Sequence, residues 1–312
     1  MLEYMVSGEA VEQIIEVRDN GVPVAFTQVG ATYALPAGSF RLLKDPVGTI
    51  TCSVQGTKRT TNIAGSASAN TYTNTISNTI ADILKFRGQT ITYSEIDAAS
   101  FSSIGSEYVG IYITDRANVL SICQELAKSC AAVLTISRAG KVKLVQLDIP
   151  TSTNVTITDS DMLLNTLSIS SKLDVIAGVR LGYAKNWTIQ NNLLTAIPQQ
   201  HKDLYATEYL ESRITDPTVA TNYSTSIEPE LENTYLIDKT QADAIATRKL
   251  NLSKVQRKVF SVSCTARLLS VQVGDAVQIF SSRFGLQAGL YGKVIATKPN
   301  WLKGTIELGI LV

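Results

Sequence analysis

The sequence predicts a β-dominated α+β chain of several domains, with β-barrel units around a central α+β insertion domain. Three observations carry that expectation. Apolar residues alternate with polar or small ones over most candidate elements, a period of two that marks half-buried strands. Glycine, proline, asparagine and aspartate punctuate those stretches where turns are needed. The 312 residues exceed the usual size of one domain, so about two or three units are expected.

Residues 1–68 read as an N-terminal β domain. The apolar run 11–18 leads into Asp19-Asn20-Gly21 and out through 22–26. Asn-Gly between apolar runs is the strongest short-range hairpin signal, because both turn positions need positive φ. Candidate strands at 39–43 and 49–54, joined by a turn set by Pro46 and Gly48, extend the hairpin into a four-stranded meander. From Gly56 to Asn70 the composition turns small and polar, which places a boundary near residue 68.

Residues 69–150 read as an α+β domain. Ile76, Ile80, Ile83 and Leu84 share one helical face, predicting a helix to about Phe86 that stops at Gly88. A strand is expected over 108–113. Thr114 or Asp115 then caps a helix whose apolar stripe includes Val119, Leu120, Cys123, Leu126 and Cys130. A hairpin over 132–147, turning at Ala139-Gly140, completes the unit, and Pro150 ends it.

Residues 151–312 read as a β-rich domain. Strands are expected at 155–158, 167–170 and 175–183. Residues 185–237 fit no single element and are expected to be long excursions from a barrel, making partner contacts. A helix near 239–252 has Asp238 or Thr240 at its cap and Ala242, Ile245, Ala246 and Leu250 on one face. Beyond it, Val277, Ile279, Val294 and Ala296 alternate with their neighbours, and Ile306, Leu308 and Ile310 repeat the period. With turns at Gly274-Asp275, Gly285, Gly289 and Gly304, these strands predict a small closed β-barrel.

Composition narrows the function classes. Lys+Arg 28 against Asp+Glu 27 leaves a formal charge of +1 without a like-charged run, so there is no electrostatic footprint for sequence-independent DNA binding. The charged fraction, 18%, lies below the roughly 25% of soluble proteins, which suggests surface buried in an assembly. The longest apolar runs fall far short of the ~20 residues of a spanning helix, so no membrane-spanning segment is expected. No basic region followed by an apolar core marks a signal peptide.

Candidate chemistry is sparse. Cys52, Cys123, Cys130 and Cys264 include no Cys-x-x-Cys pair and read as reduced, mostly buried thiols rather than metal ligands. Cys123 and Cys130 lie on one helical face, about 10 Å apart, too far for a disulfide. The single histidine, His201, has Asp203 nearby but no Gly-x-Ser-x-Gly elbow, and reads as an exposed loop residue. Asp159-Ser-Asp161 lacks the further ligands of a calcium loop and reads as a turn or cap. Glu228-Pro-Glu230-Leu-Glu232 reads as a solvated acidic loop, because sequence neighbours rarely straddle a sugar cleft. Gly285, Gly289 and Gly292 lack the strand-to-helix order of a nucleotide fingerprint. Trp187, Trp301 and most tyrosines are expected in the core or a subunit interface. No catalytic residue, metal or cofactor is expected, and the chain reads as a structural or interaction protein rather than an enzyme.

The strand start Val273-Gly-Asp-Ala-Val, the loop Arg283-Phe-Gly-Leu, Tyr291 leading into Lys293-Val-Ile, and the closing Gly304-Thr-Ile-Glu-Leu together resemble the closing barrel of phage tail-tip and baseplate hub proteins. The helix from Thr240, feeding Lys258-Val-Phe-Ser-Val-Ser, has the matching order, so the likeness concentrates in residues 238–312. The resemblance implies a virion component at the distal end of a tail, assembled in the host cytoplasm. It implies a homotrimeric ring whose two β-barrels per chain match a hexameric tail tube on one face and carry tip, spike or fibre proteins on the other. Tape-measure protein and then DNA would pass through its channel, DNA only in passage. The chain ends at Val312 directly after a strand, so tip and host-binding functions are expected in other chains. Arg283, Phe284 and Leu286 are the candidate intersubunit contact, against the alternative of a loop pinned on its own barrel. Two other readings stay open: a receptor- or carbohydrate-binding adhesin displaying Trp or Tyr platforms, and a β-rich glycan hydrolase or depolymerase whose acids meet in a cleft.

Overall fold

The computed structural model describes residues 2–8, 10–28, 38–57, 72–87, 91–191, 193–225 and 228–312. The boundary expected near 68 and the helix stop expected at Gly88 lie outside them. Strand outweighs helix among the described residues and is spread over several sheets, the mixed, β-rich architecture that the alternating patterns predict.

The N-terminal strands are β1 (Glu3–Met5), β2 (Val11–Asp19), β3 (Val22–Val24), β4 (Phe26–Gln28), β5 (Ser39–Leu42) and β6 (Ile50–Thr57). The Asn20-Gly21 hairpin forms as predicted, with φ of 45° and 83° at the turn and Asp19 paired with Val22. The four-stranded meander does not form. Two three-stranded sheets replace it, ordered β1-β5-β4 and β3-β2-β6, so β6 returns beside β2. The cause is a side-chain clasp: Asp19 accepts from the Val47 and Gly48 amides, and Asn20 Oδ1 from that of Thr49. That clasp folds the second turn onto the first. Ile14, Val17, Phe40 and Leu42 fill the space between the sheets.

The central region holds α1 (Ile76–Asp82), α2 (Ala98–Ser103), α3 (Val119–Ser129), β7 (Ala132–Ile136) and β8 (Val142–Gln146). The first helix is α-helical only to Asp82 and continues as a π turn over Ile83–Arg87. Helix α3 is capped by Asn118, not Thr114 or Asp115; the Asn118 side-chain Oδ1 accepts from the Leu120 and Ser121 amides. The strand expected over 108–113 is reduced to two isolated bridges, Tyr108 with Thr75 and Val109 with Leu236. The segment is wedged between α1 and residues 235–237, each side offering it only one or two backbone partners. The 132–147 hairpin forms with Gly140 at φ 75°.

The remaining elements are β9 (Thr156–Ile157), β10 (Ser168–Lys172), β11 (Gly178–Tyr183), α4 (Gln199–Ala206), β12 (Leu210–Thr215), α5 (Pro217–Tyr223), β13 (Leu231–Asn233), α6 (Lys239–Ser253), β14 (Lys258–Thr265), β15 (Ala276–Ile279), β16 (Leu290–Asn300) and β17 (Thr305–Leu311). Helix α6 starts at its expected cap, where Asp238 accepts from the Gln241 amide, and buries Ala242, Ile245, Ala246 and Leu250 as expected. It packs on β11 and β12. One core therefore draws Ile80, Leu126 and Leu144 from the central region and Leu181, Leu236 and Ile245 from beyond it.

The C-terminal strands make a six-stranded sheet ordered β10-β14-β17-β16-β15-β9. Phe260, Val262, Cys264, Ile306, Leu308 and Ile310 point inward at period two. The expected closed barrel does not form: β9 and β10 occupy opposite edges, and no ladder joins them among the described residues. The Met162–Cys264 bridge and the Leu163 amide, which donates to the Ser263 carbonyl, tie the chain after β9 to β14. The physical reason is the brevity of β9. A tight turn at Asp159–Asp161 diverts the chain after two paired residues. Ile157 and Leu167, near the two edges, still share one core, so the open sheet curls around it. Ala296, expected to face inward, is exposed, because the register shifts between Val294 and Ala296 and a bulge turns the strand over.

Candidate functional site

The Arg283–Leu286 loop leaves the sheet after β15 and closes on itself. The Ser281 amide donates to the Leu286 carbonyl, and the Leu286 amide to that of Arg283, each at 3.2 Å. Phe284 and Gly285 both have positive φ, 58° and 77°, the second natural for glycine and the first uncommon for an aromatic residue. Leu286 has no exposed surface and sits in the core of its own sheet. Phe284, 39% exposed, rests against Phe260 with ring centroids 6.0 Å apart. Arg283 is exposed, with its guanidinium 4.9 Å from the Phe284 ring centroid. The loop thus has an inner pin, a half-buried ring and an outer cation.

Beside it runs a groove of about 510 Å³. Phe260, Phe284, Leu290, Tyr291 and Val312 supply its apolar wall, and Arg257 and Lys258 its cationic rim. Strand starts and ends meet there: β14 begins, β16 begins and β17 has just ended. Arg257 Nε donates to the Leu252 carbonyl, which fixes the guanidinium stem. Among the described residues no carboxylate forms an ion pair with Arg257, Lys258 or Arg283. An apolar trough with a cationic rim is suited to a ligand that is apolar and acidic.

A second groove, of about 520 Å³, has Glu125, Lys128, Tyr209, Glu230 and Tyr235 among its walls. Tyr235 donates its hydroxyl to Glu125 at 2.8 Å; burial first, and that carboxylate second, push its phenol up to about 12. Trp187 stacks on Tyr235 with centroids 6.3 Å apart, meets Tyr112 edge-on, and lies under the Lys185 ammonium. At 40% exposure it is neither core nor an open platform.

The acidic segment is more than a solvated loop. Glu228 pairs with Arg213. Glu232 lies on β13 and is held by Lys249 at 2.6 Å and Lys128 at 3.5 Å. Glu230 is exposed. His201 is exposed on helix α4 rather than on a loop, with its ring near Tyr205, while Asp203 accepts from Gln199. Asp161 serves the turn as expected, accepting from the Thr158 amide, and also meets Arg267 at 2.5 and 2.6 Å. Those guanidinium bonds hold its carboxyl at about 2. Burial pushes the Cys123, Cys130 and Cys264 thiols up to about 12. Among the described residues no group of three His, Cys, Asp or Glu side chains is placed to hold a metal ion.

Solved structures give the likeness of this geometry. A chain from the virion of a native gene transfer agent particle superposes with a TM-score of 0.64 at 13% identity, over 99% of this chain and 77% of that one. The chain shares that protein's fold. A tail protein from Neisseria meningitidis MC58 superposes at 0.43 with 12% identity, over 76% of this chain and 67% of the other. The 43 kDa tail protein of prophage MuSo2 from Shewanella oneidensis gives 0.35 and 10%, over 64% and 55%. No protein-family model and no curated protein matches the sequence.

Sequence reasoning found the 283–286 loop but missed the groove beside it. Its walls come from positions near 150, 257, 290 and 312, which only strand pairing brings together. The adjacent cations Arg257-Lys258 at the foot of a strand were the available signal.

Proposed function

We propose that the chain is a structural component of a phage tail or tail-like particle, and within it the hub at the distal end. The observation that carries this reading is the fold over essentially the whole chain, 99% of it, in common with a chain of a gene transfer agent virion. In this reading three copies form a ring that joins the tail tube to the tip, spike or fibre proteins. Tape-measure protein and DNA pass through it without being bound as ligands, and the ring assembles in the host cytoplasm before joining the virion. The 283–286 loop divides its work: Leu286 anchors the loop in its own sheet, and Arg283 and Phe284 face the neighbouring subunit. The chain performs no chemistry in this role. A carbohydrate adhesin would need an open aromatic face: Trp187 is sandwiched by Tyr235 and Lys185, whereas Trp301, 66% exposed with its ring 5.6 Å from the Arg138 guanidinium, is the observation that favours that second reading.

Electron cryo-microscopy of intact particles tests the reading. Density for this chain as a threefold ring at the tube end supports it. Density in a peripheral fibre, or a purified chain that turns over polysaccharide, overturns it.

A further inference from the structure

We infer that the basic, apolar groove beside Phe284 receives the acidic loop Glu228–Leu231 from a second copy of this chain. The inference rests on the ring proposed above and names the contact that closes it. The groove offers Phe260, Phe284 and Tyr291 as an apolar wall, with Arg257 and Lys258 on its rim and Arg283 on the adjoining loop. None of the three cations has a carboxylate partner among the described residues. The loop offers the opposite chemistry: Glu230 is exposed, the Glu228 side chain is 67% exposed although bonded to Arg213, and Leu231 presents an exposed apolar side chain between acids. Leucine in an aromatic trough, flanked by carboxylates facing guanidinium and ammonium groups, satisfies burial and charge together.

The loop is not a wall of its own chain's groove. Its ladder partner Arg180, opposite Leu231, and the Glu228–Arg213 pair fix it to the β11–β12 sheet. The occupant is therefore supplied in trans. Donor and acceptor are different surfaces of one molecule, so the contact is head-to-tail, the kind that closes into a ring when the rotation permits. One loop in one groove falls below the ~1,200 Å² of a stable interface, so it acts as the anchor of a broader subunit contact.

Two charge-reversed chains test it: Lys258→Glu in the groove and Glu230→Lys in the loop, which leave the Arg257–Leu252 and Glu228–Arg213 bonds in place. Glu230 is exposed and Lys258 partly so, and circular dichroism with thermal melts checks that each variant folds. Sedimentation velocity across a concentration series should show each reversal weakening self-association by at least about tenfold. Combining both changes in one chain restores it, since groove and loop exchange signs. The contact is overturned if the wild-type chain stays monomeric, if either reversal leaves association unchanged, or if the combined variant fails to recover. A reversed chain that still forms the threefold ring in particles sinks the contact and leaves the hub. Wild-type rings rescued by the combined variant, yet absent from the tube end of particles, sink the hub and leave the contact.

Discussion

Gly21 lies against Ile197. A Cβ placed on Gly21 would stand 2.6 Å from the Ile197 Cδ1, and 2.9 Å from the Leu193 Cδ2. Arg18 nearby lies 5.4 Å from the Tyr205 ring centroid. The excursion that carries Leu193, Ile197 and Tyr205 thus binds the N-terminal hairpin to the rest of the chain, work for which the sequence suggested an external partner.

Gly21→Ala should therefore destabilise the chain by about 1–2 kcal/mol, combining a left-handed backbone with crowding that side-chain ends can partly relieve. Chemical denaturation measures the loss. Leu193→Ala/Ile197→Ala, which removes both crowding side chains, should make the glycine substitution less costly in that background than in the wild type. Equal costs in both backgrounds would show that the backbone alone makes Gly21 necessary.

The Asp161–Arg267 pair makes stability depend on acid. Arg267 holds the Asp161 carboxyl at about 2, below its usual value near 4, so the pair's contribution is fully present above about pH 4 and is lost as the pH falls through about 2. With Arg267 half-exposed, the contribution is on the order of 1–2 kcal/mol. Asp161→Asn should lose that amount at pH 7 and converge on the wild type only below about pH 2. Urea unfolding of both chains across this range measures the convergence.

Thiol reactivity should separate the cysteines. Cys123 and Cys130 are fully buried, with thiols raised to about 12, so almost no thiolate exists near pH 8. Cys52, only partly buried, should be alkylated first in the native chain, and all four once it is denatured. Mass spectrometry of peptides after brief alkylation gives the order. Early modification of Cys130 would mean that the helix α3 core opens readily.

Legibility followed the range of the interactions. Helix α6 and the turns at Asn20-Gly21 and Ala139-Gly140 rest on neighbouring residues, and the sequence displays them. Helix α5 was also displayed, by Asp216 as cap and Pro217 in the first turn, but the polar surroundings hid it. Ala296 followed the alternation in sequence and broke it in space, because a bulge depends on the partner strand. The open sheet edge and the groove at Val312 depend on pairings between distant segments, which no local pattern records.

The loop beside that groove separates folding from assembly. Leu286 is wholly buried, so Leu286→Ala should cost about 2–5 kcal/mol of stability. Phe284 is different: it is half-exposed and held at φ 58°, a conformation costing roughly 1–2 kcal/mol for a residue with a side chain. Phe284→Gly removes the ring contact with Phe260 but relieves that backbone cost, so the two effects largely offset and stability should change by less than about 1 kcal/mol. If the ring serves a neighbouring subunit, the same substitution weakens self-association while leaving the fold intact. Urea denaturation and sedimentation of both variants distinguish the roles. A Phe284→Gly chain as unstable as Leu286→Ala would make Phe284 a core residue, whereas a stable one that associates normally would remove it from the interface.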